Sequence, residues 1–417
     1  MTTHLQRSNA EIDVAIVGGG AAGIGAARRL ARAGLSTRIL EADSRLGGRA
    51  WTREYHGLHI DLGCGWLHSA ERNSWVSIAE AAGIPIDRSA AKWGVQFRDL
   101  GFPPAEQAAA RAAFGSWMRR LSDVPAASDR ASDALLPDCE WNGYIRTIAG
   151  FISGARLERL SAADYRAYDD ASTEDNWRVP SGFGALIANT ALGTLAVHLS
   201  TPVSSLALAN GGVALTTTAG TLRARAAILT VSTSALAGGA LALPAELLPW
   251  REAAASLPLG RNEKLFLEIV GDGPFEAESQ VLGNPRDSRS PSHYIRPFGL
   301  PVIESFFGGE GATLVERDGA AAGFDFAIAQ LVALFGAEVR TRLRPLAASD
   351  WSRMPHIGGA YSYALPGHAA ARVALARSFD NRVFFAGEAT NASDFSTAHG
   401  AYDSGVSAAA AVIAALR

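Results

Sequence analysis

The most constraining feature of this chain is a glycine-rich turn that directly follows an apolar run near its N-terminus. Residues 12–17 are mostly β-branched or apolar, residues 18–23 read Gly-Gly-Gly-Ala-Ala-Gly, and a helical stretch follows at 24–32. A strand, a tight turn and a helix start in this order bind the pyrophosphate of a dinucleotide, because free N–H groups at the helix N-terminus face the anion. The sequence therefore predicts a Rossmann-like nucleotide-binding unit.

Three glycines of this turn have distinct physical roles. Gly18 permits the sharp turn, Gly20 lacks the Cβ atom that would keep phosphates from the backbone, and Gly23 lets the helix lie against the strand. A second predicted strand at 36–40 ends in Glu41, at the spacing expected of a carboxylate on ribose hydroxyls. A glycine turn without a ligand is the alternative, and the agreement of strand, helix and Glu41 argues against it.

Two further glycine motifs favour FAD over NAD as the cofactor. Residues 45–49 read Arg-Leu-Gly-Gly-Arg, and residues 383–390 read as a buried strand that runs into a glycine turn before a closing helix at 400–416. Together these segments resemble the flavin-containing amine oxidase family, which includes monoamine oxidases, polyamine oxidases and flavin-type histone demethylases. The resemblance covers most of the chain and is weak at about 95–175 and 270–345. It implies that the first and last segments jointly enclose an extended FAD.

Composition narrows the class of protein. The chain has 417 residues, enough for two to three domains, and a formal net charge of −3 with a pI near 6.3. This charge gives no reason to expect nucleic acid or an anionic membrane as a partner. Two cysteines fit a reducing compartment, and neither a signal peptide nor a membrane-spanning run is evident. We expect a cytoplasmic protein. The sequence does not indicate its oligomeric state.

The predicted fold class is α/β, with a Rossmann-like FAD-binding domain, a β-meander and a second α+β substrate-binding domain. The meander strands are predicted at 203–208, 213–218 and 221–229. Further helices are predicted at 72–82, 105–122 and 141–163, and further strands at 265–269 and 302–307. The predicted domains are discontinuous in sequence: residues 1–75, 181–262 and 370–417 bind FAD, and residues 76–180 and 263–369 bind the substrate.

A run of small residues near position 64 is predicted to lie against the flavin ring. Gly63, Cys64 and Gly65 let the backbone approach a flat ring without a side-chain clash. The segment continues Trp66-Leu67-His68, a form that resembles the polyamine oxidase branch, in which the histidine faces the substrate channel. A structural histidine at a strand end is the alternative.

Lys264 is one of only two lysines among 38 basic residues. Strand alternation places Phe266 and Glu268 on its face and Leu265 and Leu267 on the other. The resemblance implies that this lysine reaches flavin N5 through a water molecule. A cation there would stabilise negative charge on the ring and on oxygen as it is reduced. A solvated lysine at a strand edge is the alternative.

The last part of the chain supplies further residues of the predicted site. Trp351 and Tyr361 match an aromatic pair near the flavin in the family, and Ala360 occupies the position of a cysteine that links FAD covalently in some members. The resemblance therefore implies non-covalent FAD. Thr397 stands where monoamine oxidases have a second aromatic residue of the substrate cage, and its helix start would face the flavin pyrimidine. Glu388 is expected to accept hydrogen bonds from ribityl or ribose hydroxyls.

These considerations give one set of predicted site residues, with no metal site. The predicted catalytic residues are Lys264, Tyr361, His68, Trp351 and Thr397. The predicted cofactor contacts are Gly18, Gly20, Ala22, Gly23, Glu41, Ala42, Arg45, Gly48, Arg49, Gly63, Cys64, Gly65, Trp66, Val203, Gly387, Glu388, Thr397 and Ala398.

The predicted function is amine oxidation by FAD. The resemblance implies hydride transfer from the α-carbon of a primary or secondary alkyl amine, with diamines and polyamines as candidates, to flavin N5. Imine hydrolysis and reoxidation by O₂ would then give H₂O₂. An acidic loop at 169–175 could attract a distal ammonium group, or Ser172 and Asp175 could form a helix N-cap box. A hydroxynicotine-type oxidase, an L-amino-acid oxidase, a desaturase and a non-catalytic binding module are the alternatives.

Overall fold

The computed structural model describes residues 11–191, 193 and 195–417. Its strands are β1 (Ile12–Val17), β2 (Thr37–Leu40), β3 (Thr52–Tyr55), β4 (Leu58–Asp61), β5 (Trp66–Leu67), β6 (Trp177–Arg178), β7 (Val197–His198), β8 (Val203–Ala209), β9 (Gly212–Thr217), β10 (Gly220–Leu229), β11 (Asn262–Ile269), β12 (Ser279–Leu282), β13 (Ser292–Ile295), β14 (Val302–Gly308), β15 (Leu343–Ala348) and β16 (Val383–Phe385). Its helices are α1 (Ala21–Ala31), α2 (Ser74–Ala81), α3 (Pro104–Arg120), α4 (Asn142–Ser153), α5 (Ala162–Ala171), α6 (Phe183–Asn189), α7 (Thr233–Gly238), α8 (Leu248–Ala255), α9 (Glu310–Asp318), α10 (Ala320–Phe335), α11 (Ala371–Leu375) and α12 (Ala398–Leu416).

The larger of two main sheets brings distant parts of the sequence to one edge. Its strands lie in the order β7-β2-β1-β10-β9-β8, and β16 also pairs with β10. Strands β7, β2, β1, β10 and β16 are parallel, so their carboxyl ends meet at the same edge. Gly18, Glu41, Thr230 and the turn at Gly387 follow directly on these ends. The glycine motifs at the two ends of the chain therefore meet.

The nucleotide-binding pattern and the meander predicted from the sequence are present in this sheet. The meander strands β8, β9 and β10 are antiparallel hairpins, each within a residue of its predicted limits. Helix α1 begins three residues earlier than predicted, and α12 two residues earlier. Gly23 lies in the first turn of α1, where a Cβ atom would come within 2.0 Å of the carbonyl oxygen of Gly18. This contact explains the close packing of helix on strand.

The single helix predicted at 141–163 is wrong. Helix α4 ends at Ser153 because Gly154 adopts a left-handed conformation with φ 66°. Helix α5 then begins after Ser161, whose hydroxyl accepts a hydrogen bond from the backbone N–H of Asp164. The predicted helices at 72–82 and 105–122 are confirmed as α2 and α3 with shifted ends.

The second sheet is antiparallel and has the strand order β12-β13-β14-β11-β15. Leu265 and Leu267 of β11 point into a buried core that also contains side chains of α10. Phe266 packs on the opposite face with Ile60 and Trp351, so the predicted alternation in this strand is confirmed. Among the described residues, no helix is long and apolar enough to cross a membrane.

Candidate active site

A large cavity of about 1040 Å³ extends from the edge of the parallel sheet to one face of the antiparallel sheet. Gly23 and Arg45 do not line it, whereas every other predicted site residue does. The predicted residues that line it are Gly18, Gly20, Ala22, Glu41, Ala42, Gly48, Arg49, Gly63, Cys64, Gly65, Trp66, His68, Val203, Lys264, Trp351, Tyr361, Gly387, Glu388, Thr397 and Ala398.

The glycine turn forms a cradle suited to an anion. Gly18 has φ +109°, and a Cβ atom on Gly20 would make only ordinary contacts at 3.8 Å and beyond, so no protein atom crowds the backbone there. Gly20 caps helix α1 without a side-chain hydrogen bond, and no acidic residue lies in the first turn. The first N–H groups of a helix lack partners within it, and the helix dipole favours negative charge at this end. The cradle therefore fits a pyrophosphate.

Glu41 is tied to the glycine turn as well as to the cavity. Its Oε2 accepts a hydrogen bond of 2.6 Å from the backbone N–H of Gly19, and its Oε1 accepts one of 2.8 Å from that of Asp43. Burial raises the pKa of this carboxyl, although both hydrogen bonds oppose the rise. The contact with Gly19 was not predicted from the sequence. It makes Glu41 a support of the turn in addition to its predicted role.

The two arginines of the 45–49 motif have different surroundings. Arg49 lines the cavity and forms an ion pair of 3.0 Å with Glu388. The Arg45 guanidinium instead lies 4.4 Å from the ring centroid of Trp51 and donates a hydrogen bond to the carbonyl oxygen of Leu46. Arg45 does not line the cavity, and its contact with the cofactor stays a prediction.

Glu388 joins several chain segments. In addition to Arg49, its carboxylate accepts hydrogen bonds from the backbone N–H and the hydroxyl of Ser362 and from the backbone N–H of Ser396. Burial works to raise the pKa of Glu388, but the charges of Arg49 and Arg372 hold it below its usual value. The carboxylate is thus charged and holds Arg49 in place. A contact with cofactor hydroxyls stays a prediction.

Lys264 reaches the cavity from the middle of the antiparallel sheet. Its ammonium nitrogen lies 3.0 Å from Oε1 of Glu304 and 3.2 Å from the carbonyl oxygen of Asp61. A Cβ atom on Gly65 would lie only 3.3 Å from this nitrogen. The small residues near position 64 therefore also make room for the lysine.

Glu304 is the main charged residue of the cavity that sequence reasoning missed. It lies in β14, next to β11, in a strand that was predicted only as an apolar element. The available signal was that Glu304 interrupts the apolar run at 302–307, on the same face of the strand as Phe306. The opposite charge of Lys264 explains how a partly buried carboxylate is tolerated there.

Trp351 and Tyr361 are each held by a hydrogen bond to a neighbouring element of the fold. The backbone N–H of Trp351 donates to Oε1 of Glu263 over 3.0 Å, and the hydroxyl of Tyr361 donates to the carbonyl oxygen of Phe151. Because the Tyr361 hydroxyl is engaged, its ring is the part that this residue offers to a bound molecule. Ala360 also lines the cavity.

His68 is a neutral base in this site. Its Nδ1 lies 2.7 Å from Oδ1 of Asn176, an acceptor only, so Nδ1 carries the proton and Nε2 the lone pair. Burial lowers the pKa of His68 to about 4, against a smaller opposing effect of the Asn176 hydrogen bond. The side chain is therefore uncharged at neutral pH. The hydrogen bond to Asn176 orients the ring, as expected of either a channel or a structural histidine.

Thr397 is the N-cap residue of helix α12. The Thr397 hydroxyl accepts a hydrogen bond of 2.9 Å from the N–H of Gly400 and so caps helix α12 at the cavity.

The acidic loop at 169–175 does not start a helix. Ser172 follows the end of α5 and donates to the carbonyl oxygen of Tyr168, and no helix begins at 172–175. The predicted N-cap box is therefore wrong. None of the four acidic side chains at 169–175 lines the cavity.

The fold and the cavity define a class of protein: an α/β protein with a glycine cradle open to an apolar chamber that contains a lysine. Residues 21–413 match the family model for flavin-containing amine oxidoreductases, and the chain belongs to that family. It is a flavin-dependent amine oxidoreductase. The glycine cradle, Glu41 and Arg49 all line one cavity, and this arrangement fits a bound flavin nucleotide.

Similar proteins include curated relatives and solved structures. The chain is 25% identical to polyamine oxidase 2 of Arabidopsis thaliana over 432 residues, which cover 95% of this chain and 87% of the relative. It is 44% identical to pseudooxynicotine dehydrogenase of a Pseudomonas species over 72 residues, 17% of this chain and 14% of that protein. A putrescine oxidase double mutant matches with a TM-score of 0.77 at 19% identity, covering 97% of this chain and 99% of that one. This last likeness shows the fold alone.

Proposed function

We propose that the protein is an oxidase that binds FAD without a covalent link. It would remove a hydride from the α-carbon of a primary or secondary alkyl amine, release the imine to hydrolysis and pass the electrons to O₂, which gives H₂O₂. The observation that carries this proposal is the single cavity that joins the glycine cradle to Lys264, Tyr361 and Trp351. A nucleotide bound in the cradle can extend toward these residues.

The cofactor contacts in this proposal follow from the cavity wall. The N-terminus of α1 and Arg49 would face the phosphates, Glu41 would accept hydrogen bonds from the ribose, and the backbone at Val203 would face the adenine. The start of α12 near Thr397 would stabilise negative charge at the opposite end of the cofactor. In this scheme residues 1–75, 181–262 and 370–417 form a Rossmann-like FAD-binding domain, and the remaining residues bind the substrate.

The residues around the reacting carbon have simple tasks. The bound flavin supplies the hydride acceptor, so that the protein has to position the amine and exclude competing reactions. The amine must be neutral to give up a hydride. His68 can accept a hydrogen bond from the N–H of the amine, because its Nε2 atom carries a lone pair and no proton. The ring of Tyr361 and the indole of Trp351 form apolar walls beside it. Lys264 supplies a fixed positive charge near the site of electron transfer.

The L-amino-acid oxidase alternative lacks a suitable arginine. A carboxylate next to the reacting amine needs an unpaired guanidinium close by. The arginines that line the cavity are Arg49, which is paired with Glu388, and Arg111, which lies beside Tyr144. Tyr144 is about 10 Å along α4 from Phe151, the partner of the Tyr361 hydroxyl. The described part of the cavity therefore favours a simple amine.

Purified protein with its bound flavin tests the proposal. Under anaerobic conditions a panel of primary and secondary alkyl amines, free amino acids and phenylethylamine is added, and bleaching of the flavin absorbance is followed. The same mixtures in air are assayed for peroxide. We expect alkyl amines to bleach the flavin and to yield peroxide on admission of air. Bleaching by free amino acids only, or a colourless protein that does not take up FAD, would contradict the proposal.

A further inference from the structure

One face of the antiparallel sheet forms the floor of the cavity, with charge at one end and apolar side chains at the other. The strand register aligns Lys264 with Phe306, Phe306 with Ser292, and Ser292 with Leu282. All four line the cavity. Since neighbouring strands lie about 4.8 Å apart, Leu282 is about 14 Å from Lys264 across three strands. The cavity therefore continues well beyond the place where the amine would react.

The far end of this floor opens into what we call the outer chamber. Phe102, Tyr144, Ile148 and Leu282 pack against one another in one apolar cluster. One side chain of this chamber is unusually exposed for its type. The outer chamber is lined by Val95 (60% exposed), Phe102, Tyr144, Ile148 and Leu282, whereas Trp93 lies nearer the reacting end, with its ring 5.6 Å from that of His68.

Negative charge is confined to the other parts of the cavity. The acidic residues among its described lining are Glu41, Asp43, Glu388 and Glu304, and the first three belong to the nucleotide cradle. Glu304 is already paired with Lys264. The outer chamber thus has no carboxylate of its own.

The charged side chain that lines the cavity at the outer chamber is a cation. Arg111 of α3 lines the cavity there. Burial raises the pKa of the Tyr144 hydroxyl, and the positive charge of Arg111 opposes this rise. Tyr294 and Trp66, the aromatic faces on the way to the chamber, each lie 5.2 Å from the guanidinium of Arg178. This guanidinium pairs with Asp87 and Glu278, so both carboxylates already have a partner cation. A second ammonium group in this chamber would lose its water without gaining a counter-charge, which is unfavourable.

We propose that the outer chamber binds a neutral, apolar tail, so that the substrate is an amine with one charged end and a long hydrophobic group. This inference rests on the proposed function and narrows its substrate class. It disfavours diamines and polyamines, whose second ammonium group would fall between Ser292 and Leu282. Burial of the tail against the outer chamber supplies the binding free energy.

Two isosteric amines test the inference. Nonylamine and 1,8-diaminooctane have the same length and differ only in a terminal methyl or ammonium group. Each is mixed with the oxidised holoenzyme in an anaerobic stopped-flow instrument at one pH, and the second-order rate constant of flavin reduction is measured. We expect nonylamine to be preferred by at least tenfold. A preference for the diamine would overturn the inference and leave the proposed function intact, whereas no reduction by any amine would overturn both.

Arg111 offers a matched pair of variants because its side chain is exposed on α3. Arg111→Glu places a carboxylate beside the outer chamber, and Arg111→Gln only removes the positive charge. We expect Arg111→Glu to shift the ratio of the two rate constants at least tenfold toward the diamine, and Arg111→Gln to shift it less. An unchanged ratio in Arg111→Glu would show that the far end of the amine lies elsewhere and would overturn the assignment.

Discussion

The ammonium nitrogen of Lys264 lies 3.0 Å from a carboxylate oxygen of Glu304, inside the cavity that the glycine cradle opens into. The two residues lie on neighbouring strands, with Glu304 opposite Phe266 in the register. The ion pair holds the lysine at a defined position, because the carbonyl oxygen of Asp61 accepts a second hydrogen bond from the same nitrogen. A lysine so restrained can place a hydrogen-bonded water reproducibly.

The first prediction concerns the role of Lys264 in the reaction with oxygen. Lys264→Met preserves the length of the side chain but removes the cation, so reoxidation of the pre-reduced enzyme by O₂ should slow by at least about tenfold, equivalent to ~1.4 kcal/mol. FAD should remain bound, because the lysine lies away from the glycine cradle. The measurement is stopped-flow mixing of reduced enzyme with oxygenated buffer.

Two controls separate charge from geometry. Lys264→Arg restores a positive charge but with a planar, bulkier group, and we expect it not to restore the rate. The double variant Lys264→Met with Glu304→Gln removes both charges, so that no unpaired carboxylate remains in the cavity. If Lys264→Met reoxidises at the wild-type rate, the lysine has only a structural role.

The second prediction concerns Glu41 and flavin affinity. Glu41→Ala removes the proposed charge-assisted hydrogen bond to the ribose and the support of the Gly19 N–H, and the affinity for FAD should fall by about 1.5–3 kcal/mol. Titration of the apoprotein with FAD measures this. Glu54→Ala, at an exposed glutamate of β3, is the control and should bind FAD normally. Equal affinity in both variants would show that the first glycine motif has been misread.

The third prediction concerns attachment of the cofactor. Ala360 cannot form a thioether, and burial raises the pKa of the Cys64 thiol, the other candidate in the cavity, to about 12. A protonated thiol is a poor nucleophile. Acid precipitation should therefore release all of the yellow chromophore as FAD into the supernatant. Colour that stays in the pellet of the wild type but not of Cys64→Ser would identify a link to that cysteine.

The fourth prediction concerns pH and the buried Glu263. Burial raises the pKa of this carboxyl to about 8 from an ordinary value of 4.5, although hydrogen bonds from Ser349 and Trp351 oppose the rise. The folded chain therefore binds the proton more tightly than the unfolded chain. The resulting stability is fully present below pH 4.5 and is lost as the pH rises through about 8.

Glu263→Gln mimics the protonated carboxyl and should remove this dependence. We expect the variant to match the wild type near pH 5 and to have the larger free energy of unfolding at pH 9, as measured by urea denaturation at both values. Trp351 should keep its position in the variant, because the amide oxygen can still accept its N–H. A variant that is less stable than the wild type at pH 9 would contradict the protonated state.

The local parts of the fold and of the candidate site could be predicted from the sequence. The turn at Gly18, the strand that ends in Glu41 and the face of β11 that carries Lys264 all depend on short-range patterns of glycine, charge and alternation. The break at Gly154 was missed because a helical pattern on both sides masks a single left-handed residue. The packing of Arg45 on Trp51 was not predicted, because the motif does not specify which way a long side chain turns.

The sequence by itself determined that this chain contains a strand, a glycine turn and a helix start in direct succession, and a lysine in an apolar strand, because both follow from neighbours in the chain. Only the tertiary structure decided that Glu304 pairs with Lys264, that Arg49 pairs with Glu388 across 339 positions, and that the outer chamber extends from the same floor. These relationships arise from the register of strands and from packing between distant segments. A local pattern does not encode them, because strand partners are chosen by the fold as a whole.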